Sequence, residues 1–215
     1  MYCGVPEEDP DKLMALVLAG GKSIRMGSDK GCLELNGERW IQRASNLCSS
    51  LNLVVLHSIQ LSQVDVYSSF LPPDSLIVDA VDIKGPLAGL LSFYLKYPNS
   101  DVLLLPCDMI QLNSKILSEL IGAYELMHIG HDIIVYQHED DSIEPMPGIY
   151  TSEALRKIYW LFASGELTKH SLKHSIEISN SFFIPILKEE EFYFDNVNTQ
   201  ENIKRKNKKK IVLIL

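Results

Sequence analysis

The chain has 215 residues, 46% of them hydrophobic and 22% charged. That suits one domain with a full core, and no apolar run is long enough to span a bilayer. A net charge of −8 argues against general nucleic-acid binding. Residues 1–12 are acidic and contain proline, unlike a signal peptide. They read as a flexible leader, with Met14 as an alternative start. Cys3, Cys32, Cys48 and Cys107 show neither C-x-x-C pairing nor metal-ligand spacing. Cys48 and Cys107 fall in apolar elements and read as buried free thiols. A reducing, cytoplasmic setting is expected.

Residues 13–18 form a short apolar strand. It breaks into a loop with Gly20, Gly21 and Gly27 and the cations Lys22, Arg25 and Lys30. Glycines let a backbone approach a ligand closely, exposed N–H groups form an anion nest, and cationic heads add charge. Neither the Walker A nor the dinucleotide glycine pattern is present. The run L-A-G-G-K-S-I-R-M-G-S-D-K at residues 18–30 resembles the signature loop of nucleotidyltransferases that read a nucleoside triphosphate. Arg25 and Lys30 are the candidates for the triphosphate. Lys22 reads as a solvated lysine.

Residues 31–37 suggest a short strand and an Asn36-Gly37 turn. Residues 40–51 carry Ile41, Ala44, Leu47, Cys48 and Leu51 on one helical face. A buried strand at 53–57 precedes a polar segment reaching Pro72-Pro73. Residues 76–78 form a third strand that delivers Asp79. Gly85-Pro86-Leu87-Ala88-Gly89 opens a helix to about residue 97, with Pro86 in its first turn. Gly85 and Gly89 allow close backbone approach. The apolar strand at 101–105 suits the middle of a parallel sheet and ends in Pro106-Cys107-Asp108.

A long helix follows over 112–129, capped by Asn113 or Ser114. Next come a strand at 132–137, a polar turn at 138–142 and an irregular strand at 145–150. The prolines of that strand confine it to an edge or a bulge. A helix capped by Ser152 runs to about Ala163, a shorter one covers 168–174, and a strand covers 181–186. Residues 192–196 lead into Asn198-Thr199 and a lysine-rich helix.

Strands alternate with helices through the first 140 residues. The expected fold is a three-layer α/β/α sandwich with a mostly parallel central sheet, of Rossmann-like, nucleotidyltransferase type. One domain is expected over 13–203, with a basic tail at 204–215. Ligands bind such sheets beyond the carboxyl ends of the strands. Gly20, Asp79, Gly85 and Asp108 all fall there. Asp108 ends a deeply apolar strand, so its carboxylate needs a partner, and Mg²⁺ sharing its shell with phosphates is the functional candidate. A helix cap is the structural alternative. Asp79 suits a ribose hydroxyl or a base N–H, or else a turn, with Asp82 competing for the role. His170 and His174 lack a third ligand. No nucleophilic triad is supported.

Four motifs together resemble the molybdenum cofactor guanylyltransferase family: the loop at 18–30, G-P-L-A-G at 85–89, L-P-C-D at 105–108 and N-V-N-T at 196–199. The resemblance implies transfer of GMP from GTP to Mo-molybdopterin with release of pyrophosphate. It implies that Leu18, Ala19, Gly20 and Gly21 meet the nucleotide, Lys30 its phosphates, and Asp79 and Gly85 the same site. Asp108 would hold Mg²⁺, and Asn196 and Asn198 would lie near the pterin. Molybdenum-cofactor biosynthesis proteins and acceptor molybdoenzymes would be partners, with no nucleic acid or membrane. The family often carries an asparagine after the second strand. Here Val54-Val55-Leu56-His57-Ser58 has none, and His57 and Ser58 are the alternatives. A cytidylyl- or sugar-phosphate nucleotidyltransferase is the nearest rival, and a non-catalytic nucleotide-binding protein a more distant one.

Overall fold

A computed structural model describes residues 13–19 and 29–197. In chain order these form β1 (Met14–Leu18), β2 (Glu34–Leu35), β3 (Glu38–Arg39), α1 (Trp40–Ser49), β4 (Val54–Ile59), α2 (Val64–Ser68), β5 (Leu76–Val78), α3 (Pro86–Lys96), β6 (Val102–Pro106), α4 (Ser114–Met127), β7 (Ile133–Gln137), β8 (Ile143–Tyr150), α5 (Ser152–Ala163), α6 (Leu172–Glu177) and β9 (Ser181–Pro185). The expected leader, the lysine-rich tail and residues 20–28 of the basic loop lie outside the described residues.

The main sheet has seven strands in the order β5-β4-β1-β6-β8-β7-β9. Only β8 runs antiparallel to its neighbours. β1 is buried throughout, and its residues alternate between two cores. Ala15 and Val17 pack with α1 and α4 on one face. Met14, Leu16 and Leu18 pack with α3, α5 and α6 on the other. This is the expected α/β/α sandwich. Strand order reverses across β1, which pairs Leu18 with Ser58 of β4 and with Pro106 of β6. The crevice therefore opens beyond these three strand ends.

Several local expectations change. The short strand expected within 31–37 is β2 and the Asn36-Gly37 turn is present (φ 55° and 80°), but a 3₁₀ turn takes up Lys30–Cys32 and the turn leads into a partner strand, β3. An Asn-Gly pair is the favoured sequence for such a turn. The polar segment before Pro72 contains α2. β8 is not an edge strand but lies between β6 and β7. Its prolines are tolerated because the register jumps from Val135↔Gly148 to Tyr136↔Glu144, leaving residues 145–147 outside the ladder. Thr151, not Ser152, caps α5 by accepting from Ala154 N–H. The helix expected over 168–174 begins instead at Leu172, where Ser171 accepts from His174 N–H. Asn113 caps α4, accepting from Ile116 N–H. Cys48 and Cys107 are buried and free, as expected.

Candidate active site

Asp108 lies two residues beyond the end of β6, and the cap of α4 is Asn113 instead. Asp108 Oδ2 lies 2.7 Å from Lys30 Nζ. The two side chains are 13% and 23% exposed, so this pair is shielded but reachable. The turn before Asp108 is fixed from beneath, where Cys107 N–H donates to Leu18 C=O at 3.2 Å. Cys107 lies inside the core, and burial first, then the charge of Asp108, pushes its thiol well above the ordinary range. It stays protonated and offers no nucleophile.

Lys30 begins a short 3₁₀ turn, Lys30–Cys32, whose N-cap is Asp29. Asp29 Oδ1 accepts from Gly31 N–H at 3.1 Å and from the Tyr67 hydroxyl at 2.6 Å. Its Oδ2 accepts from Gln63 Nε2. The two side-chain contacts leave no local trace in the sequence, since Gln63 and Tyr67 are 34 and 38 residues away.

A second cleft opens on the other side of β1, lined by Leu18, Ser58, Gln60, Asp79, Gly85, Pro86 and Gly89. Ser58 Oγ donates to Asp79 Oδ1 at 3.3 Å. Burial raises the Asp79 carboxyl above its usual range, and the Ser58 hydrogen bond works against that. Asp79 is thus a half-buried acceptor facing a cleft. Asp82 is exposed and does not line that cleft. Gly85 has φ 91°, a backbone only glycine adopts easily, where it enters α3. Gly89 lets α3 press onto β4 and β1: a Cβ there would lie 2.2 Å from Ser58 Oγ and 3.0 Å from a Leu18 methyl.

Strand alternation separates the two alternatives for the missing asparagine. Ser58 faces the Asp79 cleft. His57 points to the opposite face, with Nε2 2.7 Å from Ser45 Oγ of α1 and Nδ1 3.0 Å from Ser75 Oγ. Burial lowers its pKa to about 4, against a smaller raising effect of Ser75. His57 is a neutral packing residue.

The backbone expected to meet a nucleotide is partly engaged by the sheet: Ala19 N–H donates to Ser58 C=O at 3.1 Å. Val197 N–H donates to the Asp108 carbonyl at 3.1 Å, which sets the exposed Asn196 beside the end of β6. Gly20, Gly21, Arg25 and Asn198 lie outside the described residues.

The structure thus brings Lys30, Asp108 and Asn196 to one side of the β1 end and Ser58, Asp79 and Gly85 to the other. A model of the MobA-like NTP transferase domain matches residues 15–177. The chain belongs to this family. It is a nucleotidyltransferase by descent; the loop at 18–30, the motif at 85–89 and the motif at 105–108 fall within the matched span, and the motif at 196–199 lies beyond it. A relative from Methanocaldococcus jannaschii described as "Probable molybdenum cofactor guanylyltransferase" is 26% identical, covering 89% of this chain and 96% of its own length. One from Nostoc sp. with the same description is 28% identical over 90% and 89% of the two chains. The molybdopterin-guanine dinucleotide biosynthesis protein A of Archaeoglobus fulgidus shares the fold, with a TM-score of 0.71 and 21% identity over 89% of this chain and 95% of that one.

Among the described residues, no group of three His, Cys, Asp or Glu side chains could hold a metal. Asp108 offers a single shielded carboxylate. That donor set fits Mg²⁺, which commonly binds through one or two carboxylates plus substrate phosphates, and does not fit a metal caged by protein alone.

Proposed function

We propose that this protein transfers GMP from GTP to the phosphate of Mo-molybdopterin, giving molybdopterin guanine dinucleotide and pyrophosphate. The observation that carries the reading is the meeting of Lys30 and Asp108 at 2.7 Å, with Asn196-Val197 tied to the same turn. Three motifs distant in sequence converge there. The relatives' descriptions point to the same transfer.

A phosphate oxygen of the pterin attacks the α-phosphorus of GTP in line. A new P–O–P bond forms, the α–β bridging P–O bond breaks, and its electrons leave with pyrophosphate. No protein nucleophile is needed. Lys30, with Arg25, neutralises charge on the phosphates as it builds. The Ser58–Asp79 pair offers hydrogen-bond acceptors to the nucleoside. Asn196, with Asn198, orients the pterin. Asp108 would hold Mg²⁺, which when bound supplies charge neutralisation and alignment of the phosphate oxygens. The dinucleotide cofactor passes to acceptor molybdoenzymes, and the cytoplasm is the expected place. Among the described residues no helix is long and apolar enough to cross a membrane.

Calorimetric titration with GTP, CTP, ATP and UTP, each with Mg²⁺, tests the reading. Selective GTP binding, lost in Lys30→Ala, is expected, followed by pyrophosphate release on adding Mo-molybdopterin. Preference for CTP would make the protein a cytidylyltransferase. Binding without turnover by any acceptor would favour a non-catalytic role.

A further inference from the structure

Lys30 reaches Asp108 from a turn that something must hold still, and Asp29 is what fastens it. The Asp29 carboxylate receives three donors: Gly31 N–H, the Tyr67 hydroxyl and the Gln63 amide. Tyr67 is completely buried on α2. The turn is closed tightly on it, since a Cβ on Gly31 would lie 2.3 Å from the Tyr67 oxygen. Gln63 cannot rotate its amide freely. Its Oε1 accepts from Gln60 N–H at 2.7 Å, so its NH₂ must face Asp29. Gln60 itself lines the cleft with Asp79 and Gly85. A chain of hydrogen bonds therefore links the Lys30 turn to the opposite side of the site.

We propose that Asp29 is a positioning residue: held by Tyr67 and Gln63, its carboxylate fixes the Lys30 turn so that the ammonium stands at Asp108 and at the triphosphate. This rests on the reading of Lys30 as a phosphate ligand. Asp29 touches no substrate. It acts by restricting where Lys30 can be, and small displacements of a charge-neutralising group are costly to rate.

The donor and acceptor pattern supplies a direct test. Asp29→Asn sets an amide NH₂ against that of Gln63. Gln63→Glu sets two carboxylates together. The double variant Asp29→Asn/Gln63→Glu restores one donor and one acceptor, and still offers an oxygen to Gln60 N–H. Two readouts are taken on the full chain. The first is kcat and KM for GTP. The second is the rate at which trace acetic anhydride labels Lys30, followed by mass spectrometry.

Each single variant should lower kcat/KM by about tenfold or more, with KM for GTP raised. Each should also speed Lys30 labelling. The double variant should recover most of both. Simple loss of folded protein would scale kcat and leave KM alone. Wild-type KM and labelling in the single variants, or a double variant that recovers neither, overturns the proposal. If a single variant does not fold, Tyr67→Phe, which removes only the hydroxyl, is read in the same way. If the wild-type protein consumes no triphosphate, the phosphate reading of Lys30 fails, and labelling alone decides whether Asp29 holds the turn.

Discussion

The Lys30 ammonium and the Asp108 carboxylate, 78 residues apart in the chain, meet at 2.7 Å. Each neutralises the other in a shielded place where a lone charge would be costly. In the proposed reaction a triphosphate with its divalent ion would offer each a new partner, the phosphates to Lys30 and the cation to Asp108. On that reading the pair is a site in a form ready to be divided between ligands.

Removing Asp108 should separate chemistry from folding. Asp108→Ala should cut turnover by about 10²–10³-fold or more, as loss of a charge-stabilising group does. Its melting temperature should fall by only a few degrees, because Lys30 is exposed enough to turn its ammonium to water and the turn is also held by Cys107 and Val197 backbone bonds. Steady-state pyrophosphate release and thermal melts check this. Near-normal turnover would sink the metal-holding role.

Asn196 should act on the other substrate. Asn196→Ala should raise KM for Mo-molybdopterin by about 2–10-fold, the worth of one net hydrogen bond. GTP affinity should not change. Calorimetry for GTP and initial rates for the pterin distinguish the two. A weakened GTP affinity instead would move Asn196 to the nucleotide side.

Gly89 is where α3 touches the sheet. Gly89→Ala should destabilise the fold by about 1–3 kcal/mol, since both neighbours are packed atoms of strands. A Cβ there would also lie 2.9 Å from Ser58 Cβ. Ser58 must move, so GTP binding should weaken with stability. Urea unfolding measures the first and calorimetry the second.

His57 predicts an acid-sensitive fold. Its pKa is about 4 in the folded chain and 6.5 when exposed. The unfolded chain therefore binds a proton first as pH falls. Stability is fully present above about 6.5 and is lost progressively down to about 4, by roughly 3 kcal/mol from this group. His57→Gln, which cannot titrate, should flatten that part of the curve. Urea midpoints between pH 4 and 7 test it. An unchanged slope in the variant would assign the loss to other groups.

The buried parallel strands were legible because they are continuous apolar runs, as in Leu103-Leu104-Leu105, and the motifs fall at their ends. Asn113 as a cap was legible because its partner is three residues away. Asp29, Gln63 and Tyr67 were not. Their contacts join segments far apart in the chain, and α2 is a short helix in a polar stretch with no long apolar period. The roles of His57 and Ser58 depended on which face each residue takes, which pairing with β1 decides. The inner place of β8 was hidden by its prolines, since the bulge that tolerates them is set by β7.

Both edges of β1 are filled by strands that come later in the chain, β4 at Ser58 and β6 at Pro106. During synthesis the first strand therefore leaves the ribosome as an exposed apolar segment, and one edge stays open until β6 has been made. Such an edge is an invitation to wrong pairing. In the proposed reading a nucleotide relieves this little, because Asp108 follows β6 and the phosphate side of the site is incomplete until that strand has been made. Conditions that slow translation between β4 and β6 should therefore lower the yield, with little rescue by added GTP.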